Sequence, residues 1–176
     1  MERCVNRHIH NHLLGNDILT TCQFGFPKED SAVDQLINIT NDFGKALDSG
    51  KEVRVVFCDI SKAFDRVWHK GLIHKLKQSG ISGNSLKWFQ NYLDGREQRV
   101  VINGSNSNCI PERAGVPHGS ILELLLFIII INDIINEINA EIKLFADDTS
   151  LYLVIDNPND TAFLLKQDFN QLQRWS

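Results

Sequence analysis

The chain has no excess of positive charge, no paired cysteines, no long apolar run and no phosphate-cradling glycine loop. Each absence removes a class of protein. Eighteen Lys and Arg stand against 22 Asp and Glu, for a formal net charge of −4. That argues against a general nucleic-acid binder, whose surface field is basic. Cys4, Cys22, Cys58 and Cys109 are scattered, with no C-x-x-C pair. Neither a zinc site nor a disulfide framework is indicated, and the expected setting is reducing and intracellular. The first residues lack the charged-then-apolar pattern of a signal peptide. The longest apolar run, Leu124 to Ile131, is eight residues long and flanked by Glu123 and Asn132-Asp133. It is well short of a membrane span, so no membrane partner is expected. No G-x-x-x-x-G-K-[ST] occurs, which excludes a P-loop. Internal repeats and low-complexity linkers are also absent. What remains is 176 residues, 43% hydrophobic, enough for one folded domain with a sizeable core.

Periodicity and punctuation divide the chain. Val5, Ile9, Leu13 and Leu14 give Met1 to Leu19 a helical spacing. His8, His10 and His12 fall within it, on different helix faces, and read as solvated side chains rather than metal ligands. Ser31 is placed to cap a helix through Leu47, with Val33, Leu36, Ile37, Phe43 and Leu47 as its expected buried stripe and Gly50 as its stop. A strand, Val53 to Cys58, follows. Two helices are expected next, about His69 to Gln78 and Ser85 to Leu93, ending at Gly80 and Gly95. Arg96 to Ile102 and Asn108 to Arg113 read as strands about Asn103-Gly104, a strong hairpin signal. Ser120 is placed to cap an apolar helix running to about Asn136, and Thr161 to Trp175 is a last amphipathic helix. This mixture predicts an α+β fold, a small antiparallel sheet covered by helices on one face.

Carboxylates at strand ends carry the chemistry. Ile142 to Ala146 and Leu151 to Ile155 are apolar runs separated by Asp147-Asp148, which reads as a hairpin whose turn holds two negative charges. An isolated Asp-Asp is ordinary turn chemistry. The upstream strand, however, also ends in a carboxylate, Asp59. Two strands delivering Asp to one sheet edge suit hard divalent cations, which prefer oxygen ligands. A pair of such ions about 3.5–4 Å apart clamps both oxygens of an in-line phosphoryl displacement. From Lys51 to Lys77, seven basic residues stand against three acidic, a local stripe compatible with phosphate contacts and equally with a solvated helix face.

Four stretches resemble the reverse transcriptase domain of non-LTR retrotransposons, particularly the jockey-like group of insects. They are Gln23-Phe24-Gly25-Phe26, the run from Val56 to Val67 (VFCDISKAFDRV), Gly115-Val116-Pro117-His118-Gly119-Ser120, and Phe145-Ala146-Asp147-Asp148-Thr149. Trp88 to Leu93 also resembles this group. The resemblance implies a right-hand polymerase palm with part of the fingers. Residues 1–50 would be fingers and palm helices, 51–156 the palm with its catalytic motifs, and 157–176 the start of a C-terminal palm helix. It implies RNA-directed DNA polymerase activity on an RNA template and a DNA primer with deoxynucleotide triphosphates. Two Mg²⁺ ions, or Mn²⁺ in their place, would be held by Asp59 and Asp147, with Asp148 as a third carboxylate. The Ile60 carbonyl would reach the nucleotide-side metal. Phe64, five residues after Asp59, would be the aromatic gate that collides with a ribose 2′-OH. His118 and Gly119 would face the nucleotide, Gly119 by allowing close backbone approach.

The sequence departs from this pattern in places. His118 stands where the family usually has Gln, replacing an amide donor–acceptor pair by an imidazole. Glu123-Leu124 stands where Gly-Pro is usual, and Pro27-Lys28-Glu29 where Arg-Pro-Gly is usual. A helix N-terminus tolerates the Glu123 carboxylate, whereas a nearby template phosphate would be repelled by it. The basic finger segments, the thumb and an endonuclease domain of the family have no counterpart here, so a truncated or decayed copy of an element is expected. The alternative is a non-catalytic remnant that at most binds nucleic acid or a protein partner. A nucleotide cyclase with a similar palm is opposed by Phe64 and the Gly115–Ser120 segment.

Overall fold

The computed structural model describes residues 1–24, 32–155 and 158–175. The Ser31 cap and the departure at Pro27-Lys28-Glu29 lie outside the described residues, as do Gly25 and Phe26. In chain order the elements are α1 (Glu2–Gly15), β1 (Gln23–Phe24), α2 (Ala32–Asp48), β2 (Glu52–Asp59), α3 (His69–Gln78) and α4 (Gly83–Leu93). There follow β3 (Glu97–Gln98), β4 (Val101–Ile102), β5 (Ser105–Asn106), β6 (Ile110–Pro111), α5 (Glu123–Ile131), β7 (Glu141–Phe145), β8 (Asp148–Ile155) and α6 (Pro158–Trp175). The α+β expectation holds, and the chain divides into two compact units. One comprises Met1–Ile18 with Lys62–Ile130, the other Leu19–Ser61 with Ile131–Ser176.

The second unit is built on a four-stranded sheet of order β1-β7-β8-β2. β8 pairs antiparallel with both β7 and β2, while β1 joins β7 in parallel, so the sheet is mixed rather than wholly antiparallel. Alternation along β7 and β8 puts Ile142, Leu144, Leu151 and Ile155 on one buried face. Tyr152 points to the other face, which α2 covers. Its ring meets Phe43 edge-on at 5.3 Å, and its hydroxyl donates to Asp42 Oδ2 at 2.6 Å. Burial and that carboxylate push the Tyr152 hydroxyl well above its ordinary pKa.

This seating corrects the predicted stripe of α2. Val33, Leu36, Ile37 and Leu47 are each about 60% exposed or more, while Gln35, Ile39 and Ala46 are buried. Phe43 belongs with the packed side. The helix presents to the sheet a face turned away from its most apolar stripe. Asp168 of α6 is fully buried and accepts hydrogen bonds from the Asn139 and Ala140 backbone N–H groups and the Asn139 amide. Three donors satisfy a carboxylate that would otherwise be costly to bury, and they fix the entry to β7.

The first unit is mainly helical and also carries the short strands β3 to β6. Leu13 of α1, Leu72 and Leu76 of α3, Phe89 and Leu93 of α4, and Leu125 to Ile129 of α5 are all buried. α5 is apolar on every side and accordingly buried nearly all round. α3 has the predicted bounds. It closes with Gly80 at φ 84°, with Gly80 N–H donating to Lys77 O and Ile81 N–H to Leu76 O, the paired bonds of a glycine C-terminal cap. His12 is no exposed side chain: its Nε2 lies 2.7 Å from Ser79 O. Lys75 Nζ donates to Ile130 O.

Two expectations are adjusted. α5 ends at Ile131 rather than Asn136. Asn132 Oδ1 accepts from the Thr20 backbone N–H, and Asp133 Oδ1 accepts from Trp175 Nε1. Side chains of this kind favour turns over helix continuation. The Asn103-Gly104 turn forms, with φ of 48° and 80° as a tight primed turn requires. Its arms break into two short ribbons, β4 with β5 and β3 with β6. No described helix is long and apolar enough to cross a membrane.

Candidate active site

The carboxylate end of the sheet is set by strand register. Phe24, Phe145, Asp148 and Asp59 form one row across β1, β7, β8 and β2. Asp59, the last residue of β2, lies directly opposite Asp148, the first residue of β8. Asp148 therefore belongs to the strand, not the turn. The turn is Ala146-Asp147 alone, closed by the Phe145–Asp148 pair. Ala146 adopts φ 52°, a left-handed conformation that a residue with a Cβ rarely takes, and such strain collects at functional sites. Asp59 and Asp148 are exposed and Asp147 half-buried. Ile60, half-buried, follows directly on the strand end.

Two carboxylates directly opposite on a ladder repel one another. Among the described residues none of Asp59, Asp147 and Asp148 takes a hydrogen bond or an ion pair that would offset this. The donors are hard oxygens, the set that Mg²⁺ or Mn²⁺ prefers. No group of three His, Cys, Asp or Glu side chains converges closely enough to hold a metal among the described residues. What the sheet presents is an in-register pair with a third carboxylate on the adjoining turn. That fits ions bound by one or two carboxylates and completed by substrate phosphates, rather than an all-protein cage.

Phe64, His118 and Gly119 belong to the helical unit. Loop 62–68 and loop 115–119 are joined by backbone bonds, Gly115 N–H to Val67 O and Val116 N–H to Phe64 O, both 2.9 Å. His69 Nε2 lies 2.7 Å from Gly115 O. Gly115, at φ 92°, is obligatory here, since a Cβ would sit 2.9 Å from the Asp65 carbonyl oxygen. Phe64 is half-buried, its ring tilted on Phe127 at 4.7 Å and 6.4 Å from the His118 ring. His118 is exposed and lies between two carboxylates. Nε2 is 2.6 Å from Asp65 Oδ1, and Nδ1 is 2.7 Å from Glu123 Oε1. Those bonds, Asp65 first and Glu123 next, raise its pKa above the ordinary histidine value. Gly119, at φ 73°, donates its N–H to the other Glu123 oxygen at 2.6 Å.

Sequence reasoning gave Asp65 no role, and it read Glu123 as tolerated at the helix start but repelling to a template phosphate. The signal was available: His118 and Glu123, both unusual for the family, stand five residues apart with complementary charge.

The chain belongs to the reverse transcriptase (RNA-dependent DNA polymerase) family, whose model matches residues 1–176. It is 32% identical over 184 residues to the probable RNA-directed DNA polymerase from transposon BS of Drosophila melanogaster, covering 99% of this chain and 20% of that protein. It is 29% identical over 189 residues to the RNA-directed DNA polymerase from mobile element jockey of Drosophila funebris, covering 100% and 20%. With the probable polymerase from transposon X-element of Drosophila melanogaster it shares 34% over 132 residues, covering 75% and 14%. The chain thus spans about a fifth of the length of the first two of these relatives. Reverse transcriptases as a family use divalent metal ions.

Proposed function

We propose that the chain carries the nucleotidyl-transfer centre of an RNA-directed DNA polymerase of a mobile element. Its substrates are an RNA template, a DNA primer and deoxynucleotide triphosphates, and its setting is intracellular. The right-hand reading accompanies this: residues 51–156 form the palm, 1–50 contribute fingers and palm helices, and 157–176 begin a C-terminal palm helix. The observation that carries the proposal is the register of Asp59 against Asp148, with Asp147 on the strained turn beside them.

When bound, two Mg²⁺ ions, or Mn²⁺, would supply the charge that neutralises the triphosphate and the primer 3′-oxygen. The protein's part is positioning. Asp59 and Asp148, fixed by β2 and β8, and Asp147 on the turn between β7 and β8 would be the ligands, so placed that little reorganisation would accompany reaction. Ile60 offers its carbonyl beside Asp59. Phe64, braced by Phe127, is the steric gate against a 2′-OH. His118 and Gly119 line the nucleotide side.

The test is primer extension on an RNA template. Residues 1–176 replace the matching fifth of the jockey polymerase, so that the relative's own flanking segments are present. Magnesium-dependent extension that Asp59→Asn abolishes is the expected result. A folded chimera without extension would establish the alternative, a non-catalytic remnant.

A further inference from the structure

The contact between the two departures is itself informative. Ionised carboxylates only accept hydrogen bonds, and a neutral imidazole has one N–H and one lone pair. Here both ring nitrogens lie within 2.7 Å of a carboxylate oxygen, Nε2 on Asp65 and Nδ1 on Glu123. Either neutral tautomer would press a lone pair against a carboxylate. One extra proton removes the conflict, and it is held more readily by the ring, with an ordinary pKa of about 6.5, than by a carboxylate at about 4. The resulting unit is carboxylate–imidazolium–carboxylate. Glu123 extends it, because its second oxygen accepts the Gly119 N–H.

We propose that Asp65 and Glu123 are positioning residues that clamp the His118 ring, as its imidazolium, between loop 62–68 and the first turn of α5. The clamp fixes the ring through both nitrogens and the Gly119 turn through its backbone. Phe64, next to Asp65, makes an edge contact with the His118 ring and rests on Phe127 of α5, the helix that carries Glu123. His118, Gly119 and Phe64 therefore share one support. Glu123 acquires a role opposite to that expected from sequence: its charge is met inside the protein by His118. That this support places residues facing the nucleotide rests on the polymerase reading. The clamp itself rests only on the geometry. Among the described residues, the ionisable groups facing the ring are Asp65 from the loop and Glu123 from α5.

The test is a ¹⁵N and ¹H NMR titration of the 176-residue chain, with His118 assigned by loss of its signals in His118→Gln. At pH 7 both ring nitrogens carry protons, and the midpoint lies above that of an ordinary histidine. Asp65→Asn and Glu123→Gln each lower the midpoint. A neutral His118 at pH 7 overturns the proposal with no variant needed. A midpoint that responds to only one substitution, or to neither, overturns the two-carboxylate clamp. In the jockey chimera, Glu123→Gln moves the alkaline limit of nucleotide KM to lower pH. A raised His118 midpoint that both substitutions lower, in a chimera without extension, would retire the polymerase reading and leave the clamp standing; extension alongside a neutral His118 would do the reverse.

Discussion

The sheet edge and the loop before α5 meet the same electrostatic problem in opposite ways. At the edge, Asp59 and Asp148 face each other across a ladder pair with no cationic side chain on them among the described residues. In the loop, Asp65 and Glu123 are also drawn together, but the His118 ring lies between them. Like charges gathered without a partner are destabilising, and on the proposed function it is a cation from outside the protein that would relieve them at the sheet edge. The loop has an internal one and is, electrostatically, complete. The proposed metal site would differ in this way from the proposed support: one carries its charge unmet, the other meets it internally.

The comparison breaks most visibly in catalysis. Asp59→Asn or Asp148→Asn in the jockey chimera is expected to cut RNA-templated extension at least about a hundredfold, the scale of losing one preorganised electrostatic group. Glu123→Gln should act mainly through nucleotide KM. Equal losses in both, measured as kcat and KM, would erase the distinction between metal site and support.

Backbone strain gives the next effect. Gly115→Ala places a Cβ 2.9 Å from the Asp65 carbonyl oxygen in a left-handed conformation, at a cost of about 1–3 kcal/mol in stability. Thermal unfolding should show the loss, while the stabilisation gained on adding Mg²⁺ stays unchanged, because the sheet edge is built separately.

A smaller effect of opposite sign distinguishes the sheet edge. Without divalent ions, Asp148→Asn should stabilise the chain by about 0.2–1 kcal/mol through relief of the cross-strand repulsion. With Mg²⁺ or Mn²⁺ present, the wild type gains RT ln(1 + [L]/Kd) and the variant gains less. Melting curves with and without the ion would expose a crossing of the two. A variant destabilised under both conditions would show that the carboxylates are not strained by each other.

The smallest effect is pH dependence at the clamp. The folded pKa of His118 lies above its unfolded value. Its stabilisation is therefore fully present below about pH 6.5 and is lost as pH rises through the folded pKa. Because the ring is largely exposed, the amplitude is small. Denaturant midpoints across this window should decline in the wild type more than in His118→Gln.

Much of this was legible in the residues. α3 has its predicted bounds because Gly80 punctuates it, and Asn103-Gly104 turns the chain because both residues accept positive φ. Asp59 was rightly placed at a strand end. The error at Asp148 came from reading polar residues as turn: the strand begins there, since Asp59 opposite completes its ladder. α2 was misread on its buried side, because periodicity marks an apolar stripe without saying which neighbour is available to cover it.

Sequence alone determined most of the local elements, the α+β class and the family, all of which depend on neighbours in the chain or on short motifs read in order. Tertiary structure decided which carboxylates meet. Asp59 and Asp148 are 89 positions apart and find each other only through strand register. Asp65 and His118, 53 apart, meet only because Gly115 lets two loops close to backbone contact. Charge acts through space, and the separations that set it are fixed by packing rather than by order along the chain.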